Sequence, residues 1–154
     1  MKTSAKNKKI KDPETSTPML IGQVNLQAFQ DPAFSSWFNS EYQMYKIDST
    51  SLKGKANKLK NYDLTLVLGT WCGDSRREIP QILKILDYLN YPKDKVKIYT
   101  VDRNKKGLND EVDSLNIQKI PTIIFYKDNK ETGRIIEKPK VTLEKDLVNI
   151  ISKK

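Results

Sequence analysis

Between Leu64 and Leu89 the hydrophobic spacing changes period once, and that change limits the fold more than any other feature of the chain. Leu64 to Leu68 is a short apolar run of the kind that forms a central strand covered on both faces, whereas Ile79, Ile82, Leu83, Leu86 and Leu89 recur at helical spacing. A strand therefore feeds a helix through Thr70-Trp71-Cys72-Gly73-Asp74-Ser75-Arg76-Arg77, a turn that holds the only cysteine. Amide groups at a helix start lack intrahelical partners and carry positive partial charge, so they favour a thiolate over a thiol. Cys72 is a candidate nucleophile on this ground; an inert buried cysteine is the plainer alternative.

Composition removes most other chemistries. The 154 residues, 37% hydrophobic and 31% charged, fit one soluble globular domain. A single cysteine excludes an intrachain disulfide framework, and the absence of histidine excludes a histidine-assisted nucleophile or a histidine zinc site. No phosphate-cradling or dinucleotide-binding glycine pattern is present, and no cofactor is expected. The net charge of +9 comes from lysines spread over Lys53 to Lys60, Lys93 to Lys97, Lys127 to Lys130 and both ends, without interleaved aromatics. A solvated surface is the expectation, not a nucleic-acid site. Met1 to Pro18 is almost wholly polar and reads as no secretory signal, and no run suits a membrane span. A cytoplasmic protein is expected from the chain as given, or a periplasmic one had a signal segment been removed.

Residues 1–20 read as a flexible basic tail, because polar residues without periodicity cannot repay the entropy of ordering. Residues 21–61 read as a helical extension packed on the core. Within it Asp31-Pro32 has the form of a helix start, Phe34, Trp37, Phe38, Met44 and Tyr45 form a stripe, and Ser49 to Lys60 is a second helix candidate interrupted by Gly54. From residue 62 to 154 the order is strand, helix, strand (Val96 to Val101), short helix (Leu108 to Leu115), strand (Thr122 to Tyr126), strand (Arg134 to Glu137) and a terminal helix. Lys127-Asp128-Asn129-Lys130 forms the turn between the last two strands, and Thr142 caps the last helix. This alternation predicts an α/β fold with a largely parallel central sheet and helices on both faces.

The segment Trp71-Cys72-Gly73-Asp74-Ser75 resembles the Trp-Cys-Gly-x-Cys active site of the thioredoxin superfamily, departing at its last position. Pro80 lies where that family kinks the active-site helix, and Ile120-Pro121-Thr122 matches the family's segment whose proline is cis and faces the cysteine. The wider stretch Gly69 to Glu78 looks like that of bacterial thioredoxin-like proteins. The resemblance implies a three-layer thioredoxin-like fold with a central mixed sheet over residues 62–154, preceded by the helical extension. It also implies that Ile120 and Thr122 offer main-chain groups to an extended substrate, with Pro121 beside them. The family's buried carboxylate beneath the active site falls on Leu66, where no carboxylate stands.

Ser75 replaces the second cysteine, so Cys72 has no intramolecular partner to resolve a mixed disulfide. The Ser75 hydroxyl either donates to the thiolate or caps the first turn. Arg76 lies four residues beyond Cys72 and favours the thiolate by charge, whereas Asp74 opposes it; Trp71 borders the thiol or simply packs. Cys72 and Ser75 are therefore the candidate catalytic pair. Trp71, Gly73, Asp74, Arg76, Ile120, Pro121 and Thr122 are the candidate substrate-binding set. The expectation is a monomeric, monothiol thiol–disulfide oxidoreductase or isomerase that acts on protein disulfides or mixed disulfides and needs an external thiol or reductase to complete turnover. The rival reading is a thioredoxin-fold binding module without catalysis. A glutathione-dependent iron–sulfur carrier is weaker, since the motif is not the Cys-Gly-Phe-Ser form of monothiol glutaredoxins.

Overall fold

The computed structural model describes residues 6–153. Six strands, β1 (Lys8–Lys11), β2 (Pro18–Val24), β3 (Asp63–Leu68), β4 (Val96–Thr100), β5 (Thr122–Lys127) and β6 (Lys130–Ile136), form one sheet in the order β1-β2-β4-β3-β5-β6. β3 and β4 are parallel and every other pair is antiparallel, which makes the sheet mixed. Among the described residues five α-helices accompany it: α1 (Ser35–Met44), α2 (Ser49–Leu52), α3 (Ala56–Leu59), α4 (Gly73–Tyr88) and α5 (Leu143–Ile151).

Strand alternation divides the interior in two. Leu64, Leu66 and Leu68 of β3 point to one face and join a large apolar core that includes buried residues of all five helices, among them Phe38, Leu52, Leu59, Ile82 and Leu147. Val67 points to the other face, where a smaller cluster with Val101, Val112 and Ile120 is closed by the segment from 101 to 121. The expectation of helices on both faces is corrected here. The Leu108 to Leu115 helix shrinks to one 3-10 turn at Asp113–Leu115, which ends on Asn116 in the left-handed region. Only Val112 of that stretch is fully buried, too little apolar surface to hold an amphipathic helix.

Residues 8–24 form a hairpin where composition pointed, as far as about residue 20, to a flexible tail; residues 1–5 of that tail lie outside the described residues. β1 is an edge strand whose lysines face solvent, hence its polar sequence, and the short run Met19-Leu20-Ile21 in β2 is buried. The Ser49 to Lys60 candidate splits into α2 and α3 because Gly54 adopts φ +74°. Asp31 begins the turn before α1, its carboxylate accepting from Ala33 N at 2.9 Å, but the helix itself starts at Ser35, and Met44 lies 77% exposed, off the buried stripe.

Local signals explain the remaining ends. Thr142 accepts from Lys145 N at 3.0 Å and caps α5. α4 closes in a Schellman arrangement, with Asn90 at φ +54° and Tyr91 N donating to Leu86 O at 2.9 Å. Asp128 and Asn129 both have positive φ, the geometry of a two-residue hairpin loop matched to strand twist.

Gly22 and Gly54 both have positive φ but different surroundings. A Cβ on Gly22 would lie 2.9 Å from the Leu108 Cβ, whereas one on Gly54 would meet nothing within 4 Å. Gly22→Ala is expected to cost about 2 kcal/mol and Gly54→Ala at most about 1 kcal/mol, read from urea unfolding midpoints.

Candidate active site around Cys72

Four residues join β3 to α4, and their polar groups are largely spoken for. Cys72 N donates to Gly69 O at 3.0 Å and Cys72 O accepts from Arg76 N at 3.0 Å, so Cys72 is the N-cap residue of a 16-residue helix. The half-buried Cys72 makes no side-chain hydrogen bond to the first-turn amides of that helix among the described residues. The thiol donates to Ile120 O at 3.9 Å, and the Ile120–Pro121 bond that follows is cis. Cys72, Trp71 and Ile120 thereby share the smaller apolar cluster.

Trp71 is held from several sides. Its Nε1 donates to Val101 O at 2.9 Å, and the Arg103 guanidinium sits 5.0 Å from a ring centroid of the indole. A Cβ on Gly69 would come within 2.6 Å of the indole, so only glycine admits the ring there. Arg103 is gripped in turn by Asp12 of the β1–β2 turn, with Nε at 3.0 and 3.1 Å from the two carboxylate oxygens and Nη2 at 2.9 Å. Those bonds hold the Asp12 carboxyl at about 2, below the usual carboxylate range.

The other anticipated residues divide. Ser75 is fully buried and its Oγ accepts from Gly69 N at 3.2 Å; no hydrogen bond joins it to Cys72 among the described residues. The serine braces the turn. Arg76 donates from Nε to Thr70 O at 2.6 Å and lies 5.6 Å above Trp37, so its charge is engaged on the far side of the turn. Asp74 pairs with Arg77 at 2.9 Å, and Gly73 opens α4 with free space around it. Thr122 is paired with both β3 and β6, and its hydroxyl donates to Lys119 O at 2.6 Å. Ile120 precedes that ladder. Leu66, at the family's carboxylate position, is completely buried among apolar side chains.

Sequence reasoning missed Asp12, Arg103 and Glu78. The first two are brought together across 91 positions, and no local pattern announces such a pair. Glu78, one turn beyond Ser75, is 2% exposed; Oε2 accepts from Arg77 at 3.0 Å while Oε1 has no partner among the described residues. Among the described residues no group of histidine, cysteine, aspartate or glutamate could hold a metal ion, and no helix is long and apolar enough to cross a membrane.

Burial pushes Glu78 up to about 7 against the pull of Arg77. The folded protein therefore holds a proton that the unfolded chain releases near the ordinary glutamate value of 4.5, and stability is lost as pH rises from there through about 7. Glu78→Gln is expected to flatten that slope and to raise stability at pH 8 by roughly 1–3 kcal/mol, measured by denaturation at pH 5 and pH 8.

This geometry agrees with what the chain is similar to. It is 29% identical over 101 residues to the mitochondrial thioredoxin O of Oryza sativa subsp. japonica, covering 66% of this chain and 56% of that protein. It is 31% identical over 116 residues to the TPR repeat-containing thioredoxin TDX of Arabidopsis thaliana, covering 73% of this chain and 29% of that one. The chain thus spans about half the length, or less, of these curated relatives. A crystal structure of a Pseudomonas aeruginosa protein of unknown function superposes with a TM-score of 0.53 at 15% identity, covering 86% of this chain and 91% of that one, which shows the shared fold. The thioredoxin family model matches residues 35–149, from the start of α1 into α5, and on that match over a thioredoxin-like α/β fold the chain belongs to the thioredoxin family.

Proposed function

We propose that the protein is a monothiol thiol–disulfide oxidoreductase or isomerase in which Cys72 exchanges with protein disulfides or mixed disulfides. The observation that carries the reading is the half-buried Cys72 sulfur at the N-cap of α4, 3.9 Å from the main-chain oxygen of Ile120. A disulfide sulfur lying there meets the Cys72 sulfur, which reacts as its thiolate. The Cys72 thiolate attacks one sulfur of the substrate, a bond forms between Cys72 and that sulfur, and the other sulfur leaves as a thiolate. The Ile120 main chain, ahead of the β5 ladder, pairs with an extended substrate chain, and Trp71 and Pro121 wall the groove.

Release needs a second thiol from outside. Ser75 stands at the resolving position with its oxygen turned to Gly69 N, and Leu66 offers no base beneath it. An external thiolate, from a low-molecular-weight thiol or a partner protein, attacks the mixed disulfide and returns Cys72 as a thiolate, so electrons balance without net oxidation of this chain.

Wild type is expected to form a mixed disulfide with a peptide carrying a disulfide-linked reporter thiol, and Cys72→Ser to form none, read by intact-protein mass spectrometry. Failure of folded wild type to react at all would overturn the reading and favour a binding role for the groove. Ser75→Cys supplies the missing resolving thiol at the same place on the first turn. It is expected to release the trapped peptide with formation of an intrachain disulfide, in the absence of any added thiol.

A further inference from the structure

The β1–β2 hairpin does more than extend the sheet. Its turn is closed by Asp12 N donating to Thr17 O and Ser16 N donating to Asp12 O, both at 2.8 Å, and Asp12 Oδ1 accepts from Glu14 N at 2.9 Å. Asp12 is therefore fixed by its own backbone before it meets Arg103. Arg103 sits in a similarly closed turn, in which Asp102 N donates to Lys106 O and the Asp102 carboxylate accepts from the amides of Asn104 and Lys106. Two turns from distant parts of the chain thus meet in a forked, carboxylate-to-guanidinium pair, and the guanidinium carbon sits over the indole next to Cys72, 5.0 Å from a ring centroid.

We propose that Asp12 and Arg103 are positioning residues for the Cys72 site, a clamp by which the N-terminal hairpin fixes the Trp71 ring that walls the substrate groove. The inference rests on the Cys72 exchange reading for its catalytic consequence, but the clamp itself is a statement about Trp71. Three holds on the ring have separate roles. The bond to Val101 O fixes one edge, and the close approach at Gly69 fixes its depth. Neither prevents the indole from tilting out about the hydrogen-bonded edge. The guanidinium supplies that restraint, and it has it because Asp12, 1% exposed, leaves it no other orientation. Glu14, at 3.2 Å from Nε but 65% exposed, is a minor contributor. The hairpin is docked on the same turn from its other strand as well, since Leu20 N donates to Thr70 Oγ1 at 3.2 Å. An element outside the matched residues 35–149 thereby controls the residue beside the nucleophile.

The experiment uses the full chain with Trp37→Phe, which leaves Trp71 as the only tryptophan. Acrylamide quenching of Trp71, the rate of Cys72 alkylation by iodoacetamide and the rate of its exchange with a peptide disulfide are compared for this parent, Asp12→Asn and Arg103→Lys. Lysine keeps a cation for Asp12 but lacks the planar fork by which Asp12 holds the guanidinium over the indole. Both variants are expected to raise the quenching constant about twofold or more and to slow peptide exchange about three- to tenfold, with alkylation changed less than about twofold, as loss of orientation without loss of the nucleophile requires. Unchanged quenching in folded Arg103→Lys would overturn the clamp, and that variant decides the matter even where Asp12→Asn fails to fold. A parent that alkylates but does not exchange would defeat the reading of Cys72, and the quenching comparison would still decide the clamp.

Discussion

The turn from Gly69 to Cys72 is the constraint on which the rest of the molecule depends. Gly69 gives its N–H to Ser75 and its carbonyl to Cys72, while Thr70 gives its hydroxyl to Leu20 and its carbonyl to Arg76. Four hydrogen bonds therefore join β3, α4 and β2 at one point. Buried backbone groups cannot be left unpaired without a cost of about 1–3 kcal/mol each, so the turn has little freedom to take another form. The consequence is chemical as well as structural. With Thr70 and Gly69 satisfied by neighbours, the turn leaves Cys72 at the helix end with its sulfur facing the Ile120 carbonyl.

The same constraint explains the two replaced residues. A serine at position 75 keeps the hydrogen bond to Gly69 N, which a smaller or purely apolar side chain would forfeit in a fully buried place. Leucine at position 66 completes the apolar layer formed by Leu64 and Leu68 against the helices. A carboxylate at Leu66 would be a buried charge with no second thiol to serve, and burial without a partner is costly.

What could be read from the sequence was what short-range physics determines. The β3 run, the α4 spacing, the Thr142 cap and the Asp128-Asn129 turn each depend on residues within a few positions of one another. That Cys72 and the Ile120-Pro121 segment lie together across 48 positions was expected only from the resemblance of two local motifs to the thioredoxin superfamily. β1 and β2 were not. The lysines of β1 are edge residues, and the partners that order the hairpin, Thr70, Thr100 and Arg103, lie far along the chain. The one-sided helix layer was illegible for a related reason: Leu108 and Leu115 carry an apolar pattern, but its burial depends on the loop that closes over Val67 and Val101. The direction of Arg76 escaped too, because helical spacing from Cys72 says nothing of the Thr70 carbonyl waiting on the other side.

That one-sidedness bears on the site. The large core holds the helices to one face and makes α4 rigid from Ile79 onward, whereas Cys72, Trp71 and Ile120 rest on the smaller cluster under the 101–121 loop. Side chains in a small cluster have fewer packing partners, and each lost contact is a larger share of what holds them. A site so placed needs polar restraints to keep its geometry. The structure supplies them in sequence: Val101 O on the indole, Arg103 over its face, Asp12 behind Arg103, and Glu137 N on Pro121 O at 2.7 Å across from them. Hydrogen bonds and an ion pair thus do on this face what helix packing does on the other, and that is why an acidic residue in an N-terminal turn matters to a cysteine sixty positions away.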